Sequence, residues 1–186
     1  MSNINTEVCS LCQNPLSAFG SKPTKNGIIC RDCAKKASPF LSDEEIKEKT
    51  NFRMQQHLNY RLKNLKKLER FKANLELDGK YRLCLDEKRN RFLFSKRKDL
   101  LQENPDILYF RQIKDVKVEE VLYPGSEEDY DVYLTLLMQG GALKRVRFST
   151  NAFGAYKKDT AEYAQALSNA REIERILKEH INKEEE

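Results

Sequence analysis

No stretch of this chain approaches the roughly 18 consecutive apolar residues of a membrane-spanning helix. The opening Met1-Ser2-Asn3-Ile4-Asn5 has neither the basic nor the apolar region of a signal peptide. Both absences predict a soluble, cytoplasmic protein. Histidine is scarce, with only His57 and His180 present. They fall in separate predicted helices with no acid or nucleophile beside either, so exposed positions are expected for both and a catalytic base for neither. Gly140-Gly141 and Gly154 lack the surroundings of a phosphate cradle, and the acidic run Glu127-Glu128-Asp129 with Asp131 lacks the spacing of a calcium loop. The chain is therefore expected not to be an enzyme, and no small-molecule substrate is inferred.

What the sequence does have is charge. Its 186 residues are 34% charged and 39% apolar, with a formal net charge of +5, enough for one ordinary domain and a small appendage. The charge is unevenly spread: residues 1–100 carry 22 Lys/Arg against 12 Asp/Glu, and residues 101–140 carry 3 against 9. One end could meet an acidic partner.

Four of the five cysteines form two C-x-x-C pairs, Cys9/Cys12 and Cys30/Cys33, separated by seventeen residues. That spacing is the signature of a four-cysteine zinc site. Each short loop aims two sulfurs at one point, and two loops complete the tetrahedron that zinc favours. With all four positions taken by thiolate, no place is left for water or substrate, so the single zinc is expected to be structural. A redox use of the pairs would need a thioredoxin-like context, which is absent. A turn at Asn26-Gly27 leading into Ile28-Ile29 predicts a hairpin before Cys30, and Ala34-Lys35-Lys36-Ala37 predicts a short helix after Cys33. Part of the nearby basic excess can neutralise the −2 charge of a zinc tetrathiolate. Removal of the metal is expected to unfold this module.

Ser42-Asp43-Glu44-Glu45 reads as a capping box, and no Gly or Pro occurs from Asp43 to Leu77. One long helix is expected, ending near Phe71 or Ala73. Met54, Leu58, Leu62, Leu65 and Leu68 make its apolar stripe, Arg61 interrupts that stripe, and Lys63, Lys66, Lys67 and Arg70 take the opposite side. Beyond it the period becomes strand-like, with strands expected at 81–85, 91–95, 107–110, 113–121, 131–138 and 143–148 and one more at Leu75–Leu77. Cys84 is expected as a buried or half-buried thiol in the first of these. A last amphipathic helix follows Asp159-Thr160-Ala161-Glu162, lined by Tyr163, Leu167, Ala170, Leu177 and Ile181. The fold class is α+β: a small four-cysteine knuckle or zinc ribbon over 1–40, a connecting helix over 41–73, and an antiparallel barrel or orthogonal sandwich with a C-terminal helix over 74–186.

The run Ile107-Leu108-Tyr109-Phe110-Arg111-Gln112-Ile113-Lys114-Asp115-Val116-Lys117-Val118 resembles the strand-turn-strand segment of bacterial PH-like domains. With Cys9-Ser10-Leu11-Cys12 and Gly27-Ile28-Ile29-Cys30-Arg31-Asp32-Cys33 ahead of it, the chain is similar to an uncharacterised bacterial and phage family of unknown function. In that family a four-cysteine zinc module precedes a PH-like domain. The resemblance implies an architecture and zinc, not a reaction. The expected function is a non-enzymatic protein–protein interaction module or adaptor, of the kind a phage could encode to act on a host complex. One alternative is a nucleic-acid binder using the zinc-module lysines with Lys63, Lys66, Lys67 and Arg70. Another is a peripheral binder of anionic membranes using Arg91, Lys96, Arg97 and Lys98, among the basic residues around the first predicted hairpin.

Overall fold

A computed structural model describes residues 8–185; the polar opening, Met1 to Asn5, lies outside them. The chain divides into two compact units, Met1–Lys66 and Lys67–Glu186. Among the described residues no helix is long and apolar enough to cross a membrane.

The N-terminal unit is built from a hairpin and three helices. Strands β1 (Lys22–Thr24) and β2 (Gly27–Ile29) pair antiparallel with Thr24 opposite Gly27. The turn residues are thus Lys25 and Asn26, one position earlier than the Asn-Gly signal suggests. Position 27 is held to glycine for a steric reason: a Cβ there would collide with Ser10 Oγ and lie 2.8 Å from Asn51 Nδ2. Helix α1 (Arg31–Lys35) starts directly from Cys30, and α2 (Asp43–Glu48) starts from Ser42 with both halves of the predicted capping box formed.

The expected single long helix is two. Helix α2 stops at Lys49, whose backbone is extended, and α3 (Asn51–Leu68) begins again after Thr50. The hairpin loop holds the break open. Lys25 N–H donates to Lys49 O at 2.9 Å, Asn26 Oδ1 accepts from Asn51 N–H at 2.8 Å, and Thr50 Oγ1 accepts from Arg53 N–H at 3.3 Å. Thr50-Asn51 was the available signal, since both residues favour caps over helix interiors.

Helix α3 buries Met54, His57, Leu58, Arg61, Asn64 and Leu68. Leu62 is 63% exposed, because it sits about 80° from Met54, at the rim of the expected stripe. Arg61, which interrupts the stripe, is accommodated by donating Nε–H to Lys36 O at 3.4 Å.

The C-terminal unit holds two four-stranded antiparallel sheets. The first runs in the order β3 (Leu75–Leu77), β4 (Arg82–Asp86), β5 (Arg91–Ser95), β6 (Leu108–Tyr109). The second is organised on β8 (Asp129–Met138), which pairs with β7 (Ile113–Leu122) along its length. It also pairs with β9 (Arg145–Ser149) over Tyr133–Leu137 and with β10 (Tyr156–Lys157) at Asp129–Tyr130. A closed barrel, one of the two expected forms, is not built: among the described residues no strand pairing joins the sheets. Strand β6 ends after two residues because the chain enters a 3-10 turn over Phe110–Gln112, too soon for a ladder to carry across.

Rings connect the two sheets. Phe94 of β5 meets Phe148 of β9 edge-on at 4.7 Å, and Phe92 stacks on Phe110 at 5.0 Å. Such ring pairs contribute about 1 kcal/mol each beyond the area they bury. Strands β4 and β5 are buried at almost every position rather than at alternate ones, so Cys84 is wholly enclosed. Helix α5 (Ala161–Glu185) lays Tyr163, Ala166 and Ala170 against Val132, with Val118, Tyr130 and Tyr156 at the margin.

Candidate metal centre

The four expected ligands converge. The sulfurs of Cys9, Cys12, Cys30 and Cys33 all lie within 4.8 Å of one another. Cys9 Sγ and Cys33 Sγ are 3.9 Å apart, Cys12 Sγ and Cys30 Sγ 3.6 Å. A tetrahedron with zinc–sulfur bonds of about 2.3 Å has edges of about 3.8 Å, whereas a disulfide would bring two sulfurs to about 2.05 Å. The donor set, its number and its spacing therefore fit a zinc ion. Zinc so bound would act as a charge-neutralising cross-link.

Local structure accounts for each sulfur's position. In the first knuckle Gln13 adopts a left-handed backbone, with φ of 62°, which turns the chain after Cys12. Gln13 N–H donates to Cys9 O, and Cys9 N–H to Asn14 O. Ser10 fastens this knuckle to the hairpin: its N–H donates to Ile28 O at 2.9 Å and its Oγ accepts from Ile28 N–H at 3.1 Å. The second knuckle is the N-cap of α1, where Cys30 Sγ accepts from Cys33 N–H at 3.5 Å. Cys9, Cys30 and Cys33 are buried among Ile29, Ala37, Leu41, Ile46, Met54 and Leu58, while Cys12 is exposed.

The electrostatics ask for a cation. Burial opposes ionisation of Cys9, but N–H donation from Cys12, Cys30 and Leu11 outweighs it and holds the thiol at about 6. Cys33 is pushed well above the ordinary thiol range, first by burial and then by the crowding of Cys12, Cys30 and Cys9. Four sulfurs this close cannot share several negative charges by themselves. A dication bound by these four sulfurs would supply the charge that lets all of them ionise.

The basic residues singled out in sequence separate into distinct groups. Lys63, Lys66, Lys67 and Arg70 are exposed. Lys67 is tied within the C-terminal unit, with Nζ 3.4 Å from Tyr109 Oη and over its ring. Arg91 is a buried structural residue, contrary to its expected place on a surface. It reaches Asp86 through Nε at 2.9 Å and through an Nη at 2.7 Å, donates to Arg70 O at 2.7 Å and lies over the Phe71 ring. Asp86 is likewise buried, which by itself would raise its carboxyl; Arg91 and Lys72 N–H more than compensate and lower it.

The loop of Lys96, Arg97 and Lys98 already holds an anion of its own. Glu103 accepts from Lys96 N–H at 2.8 Å, Arg97 N–H at 2.8 Å and Ser95 Oγ–H. Lys96 Nζ lies over Tyr81, and Arg97 donates to Gln102 Oε1.

Both histidines depart from the expected exposure. His57 is 5% exposed and accepts from Ser38 N–H through Nε2 at 3.0 Å, leaving Nδ1 buried without a partner. His180 stacks on Phe110 at 4.5 Å, with Nε2 2.9 Å from Glu87 Oε1 and Nδ1 2.9 Å from Ile176 O. Periodicity could have found His57, which lies one helical turn from Met54 and Arg61 on the buried face of α3.

A small four-cysteine module able to hold a metal, joined to an α+β domain, is the class that fold and site define. Residues 7–57 match the family described as a domain of unknown function, DUF4428, a span that takes in all four cysteines, the hairpin, α1, α2 and the first turns of α3. No curated protein and no solved structure matches the chain.

Proposed function

We propose that the protein is a non-enzymatic, zinc-stabilised binding module whose N-terminal unit presents helix α3 to a macromolecular partner. The observation that carries this reading is a continuous chain of bonds from metal ligand to helix start. Cys9 and Cys12 flank Ser10, Ser10 clasps Ile28 of β2, and the loop between the strands places Asn26 Oδ1 2.8 Å from Asn51 N–H at the first residue of α3. The cysteine cluster thereby sets where α3 begins.

Four thiolate ligands leave no position for a substrate or an activated water, which supports a structural rather than a catalytic metal. The order of the C-terminal unit, antiparallel strands in two sheets followed by one long helix, supports reading it as a PH-like relative that serves as a second interaction surface. Binding to anionic membranes through the first hairpin of that unit has less support, because Arg91 is consumed by Asp86 and the amides of Lys96 and Arg97 by Glu103.

Elemental analysis of the full chain purified without added zinc should give one equivalent. Hydrogen exchange of the α3 amides Met54 to Leu58 should accelerate when a chelator strips the metal. Unchanged protection in metal-free protein would remove the link between the cluster and the helix.

A further inference from the structure

The two long helices carry their exposed charges in opposite ways. On α5, Arg175 pairs with Glu172 and Glu179, and Lys178 with Glu174. On α3, the eighteen residues from Asn51 to Leu68 include five Lys/Arg and no Asp or Glu. Lys63 and Lys66 are exposed and make no ion pair among the described residues. An exposed helix that serves only solubility normally alternates its signs, as α5 does.

The rest of that face is equally particular. Phe52, Gln56, Asn59, Lys63 and Lys66 are all exposed and recur at intervals of four, three, four and three. They fall within an arc of about 80° and extend over about 21 Å. Phe52 is 69% exposed. Arg53, on the flank, donates to Gln56 Oε1 at 3.1 Å, and Gln55 Nε2–H donates to Asn59 Oδ1 at 3.2 Å, so each ridge carboxamide accepts from its own helix and keeps its N–H groups for another partner. An aromatic ring, two carboxamides and unneutralised cations thus lie along one convex ridge.

We infer that this ridge of α3 docks in the major groove of duplex DNA, Arg53, Lys63 and Lys66 meeting phosphates and Gln56 and Asn59 facing base edges. The inference rests on the reading of the N-terminal unit as a metal-fixed scaffold for α3, and deepens it by naming the partner. Four physical arguments select that partner. The complementary charge is an anionic polymer, since the ridge has only cations. Carboxamides on such a ridge can donate N–H to the N7, O6 and O4 acceptors that base edges present in the major groove, whose width of about 12 Å admits a helix. Single strands are held in concave grooves, and the deep, narrow major groove of duplex RNA excludes side chains, so a convex ridge suits neither. A membrane surface would demand a broad apolar face in place of Gln56 and Asn59, and the core of a protein interface is depleted in lysine.

The test uses the full chain carrying one equivalent of zinc and a fluorescent 20-base-pair random-sequence DNA duplex, followed by anisotropy between about 50 and 200 mM salt. The expected slope of log affinity against log salt is about −3, for three phosphate contacts at about 0.9 each. Lys63→Glu with Lys66→Glu should weaken binding at least tenfold and reduce the slope by about 2. Lys80→Glu with Lys144→Glu, the same charge change in the C-terminal unit, should leave both within twofold. Lys63→Gln with Lys66→Gln should show the same direction and guards against a variant that loses its zinc; if both ridge variants lose it, the wild-type slope decides.

No duplex binding by zinc-loaded protein would overturn the inference. So would equal effects of the two glutamate pairs, or tighter binding to single-stranded DNA or duplex RNA of the same length. A stoichiometric, salt-resistant protein partner lost in the ridge variants would overturn it as well. Failure of the scaffold itself reads differently, as wild-type protein that lacks its equivalent of zinc.

Discussion

The N-terminal unit and the C-terminal unit solve the same problem with different materials. In the first, the buried residues gather around four sulfurs, and its apolar members are mainly single aliphatic side chains such as Ile29, Leu41, Ile46 and Leu58. In the second, Phe92, Phe94, Phe110 and Phe148 form a chain of ring contacts in which Phe94 meets Phe148 across the two sheets, and His180 of α5 stacks on Phe110. A fold of some sixty residues buries too small a share of its surface to be secure by packing alone, whereas a domain twice that size has less need of a staple. The comparison predicts that the two units respond independently to the removal of metal and to damage in the core.

The largest separation should come from the metal. Structural zinc in small cysteine sites contributes about 10–16 kcal/mol of folding free energy. Cys30→Ser deletes a ligand and also the sulfur that caps α1, so the N-terminal unit should fail to fold while the C-terminal unit keeps its own transition. Two-dimensional NMR of the variant should show collapsed dispersion for residues 8–66 and native shifts for the sheet amides of β7 and β8. Loss of both sets together would mean that the units are one cooperative body.

A smaller effect of opposite location should follow from the buried ion pair. Arg91→Met leaves Asp86 buried without its principal partner, and breaking a buried pair from one side costs about 3–5 kcal/mol. Chemical denaturation should show this cost in the C-terminal transition, with zinc content unchanged. Asp86→Leu combined with Arg91→Met should recover much of it, because an apolar pair of similar volume does not leave a charge stranded.

Ligand spacing made the convergence of the four cysteines legible, since C-x-x-C pairs state a geometry that no tertiary contact needs to supply. The strands and α5 were legible because their periods are local. Other features were not, among them three decided by a polar partner that no hydrophobic period reveals. The break between α2 and α3 depends on Asn26 reaching Asn51, twenty-five residues on. Arg91 read as a surface cation because alternation along a strand does not show that Asp86, opposite it in the β4–β5 hairpin, is buried with it. The lysine loop read as a vacant anion site because Glu103 returns to it from α4 (Leu100–Glu103). Hydrophobic period tells which face is buried, not which polar group is waiting there.

His57 supplies the finest distinction between the units, one of pH. Because Nε2 accepts from Ser38 N–H, the neutral ring carries its proton on Nδ1, and charging it would place a second proton where Ser38 already donates. Burial first, then the positive charges of Lys49 and Arg61, lowers its pKa to about 4 from the ordinary 6.5. Above pH 6.5 both folded and unfolded chains hold the ring neutral and the stability is fully present. As pH falls from 6.5 towards 4 the unfolded chain takes up a proton that the folded one refuses, and about 3 kcal/mol is lost from the N-terminal unit. Acid also weakens cysteine–zinc bonds, so the informative quantity is the difference between wild type and His57→Gln, whose amide oxygen can still accept from Ser38. Between pH 6.5 and 5.5, before thiolate protonation dominates, the variant's N-terminal transition should vary less steeply with pH. Parallel slopes would assign the whole acid response to the sulfurs and none to the histidine.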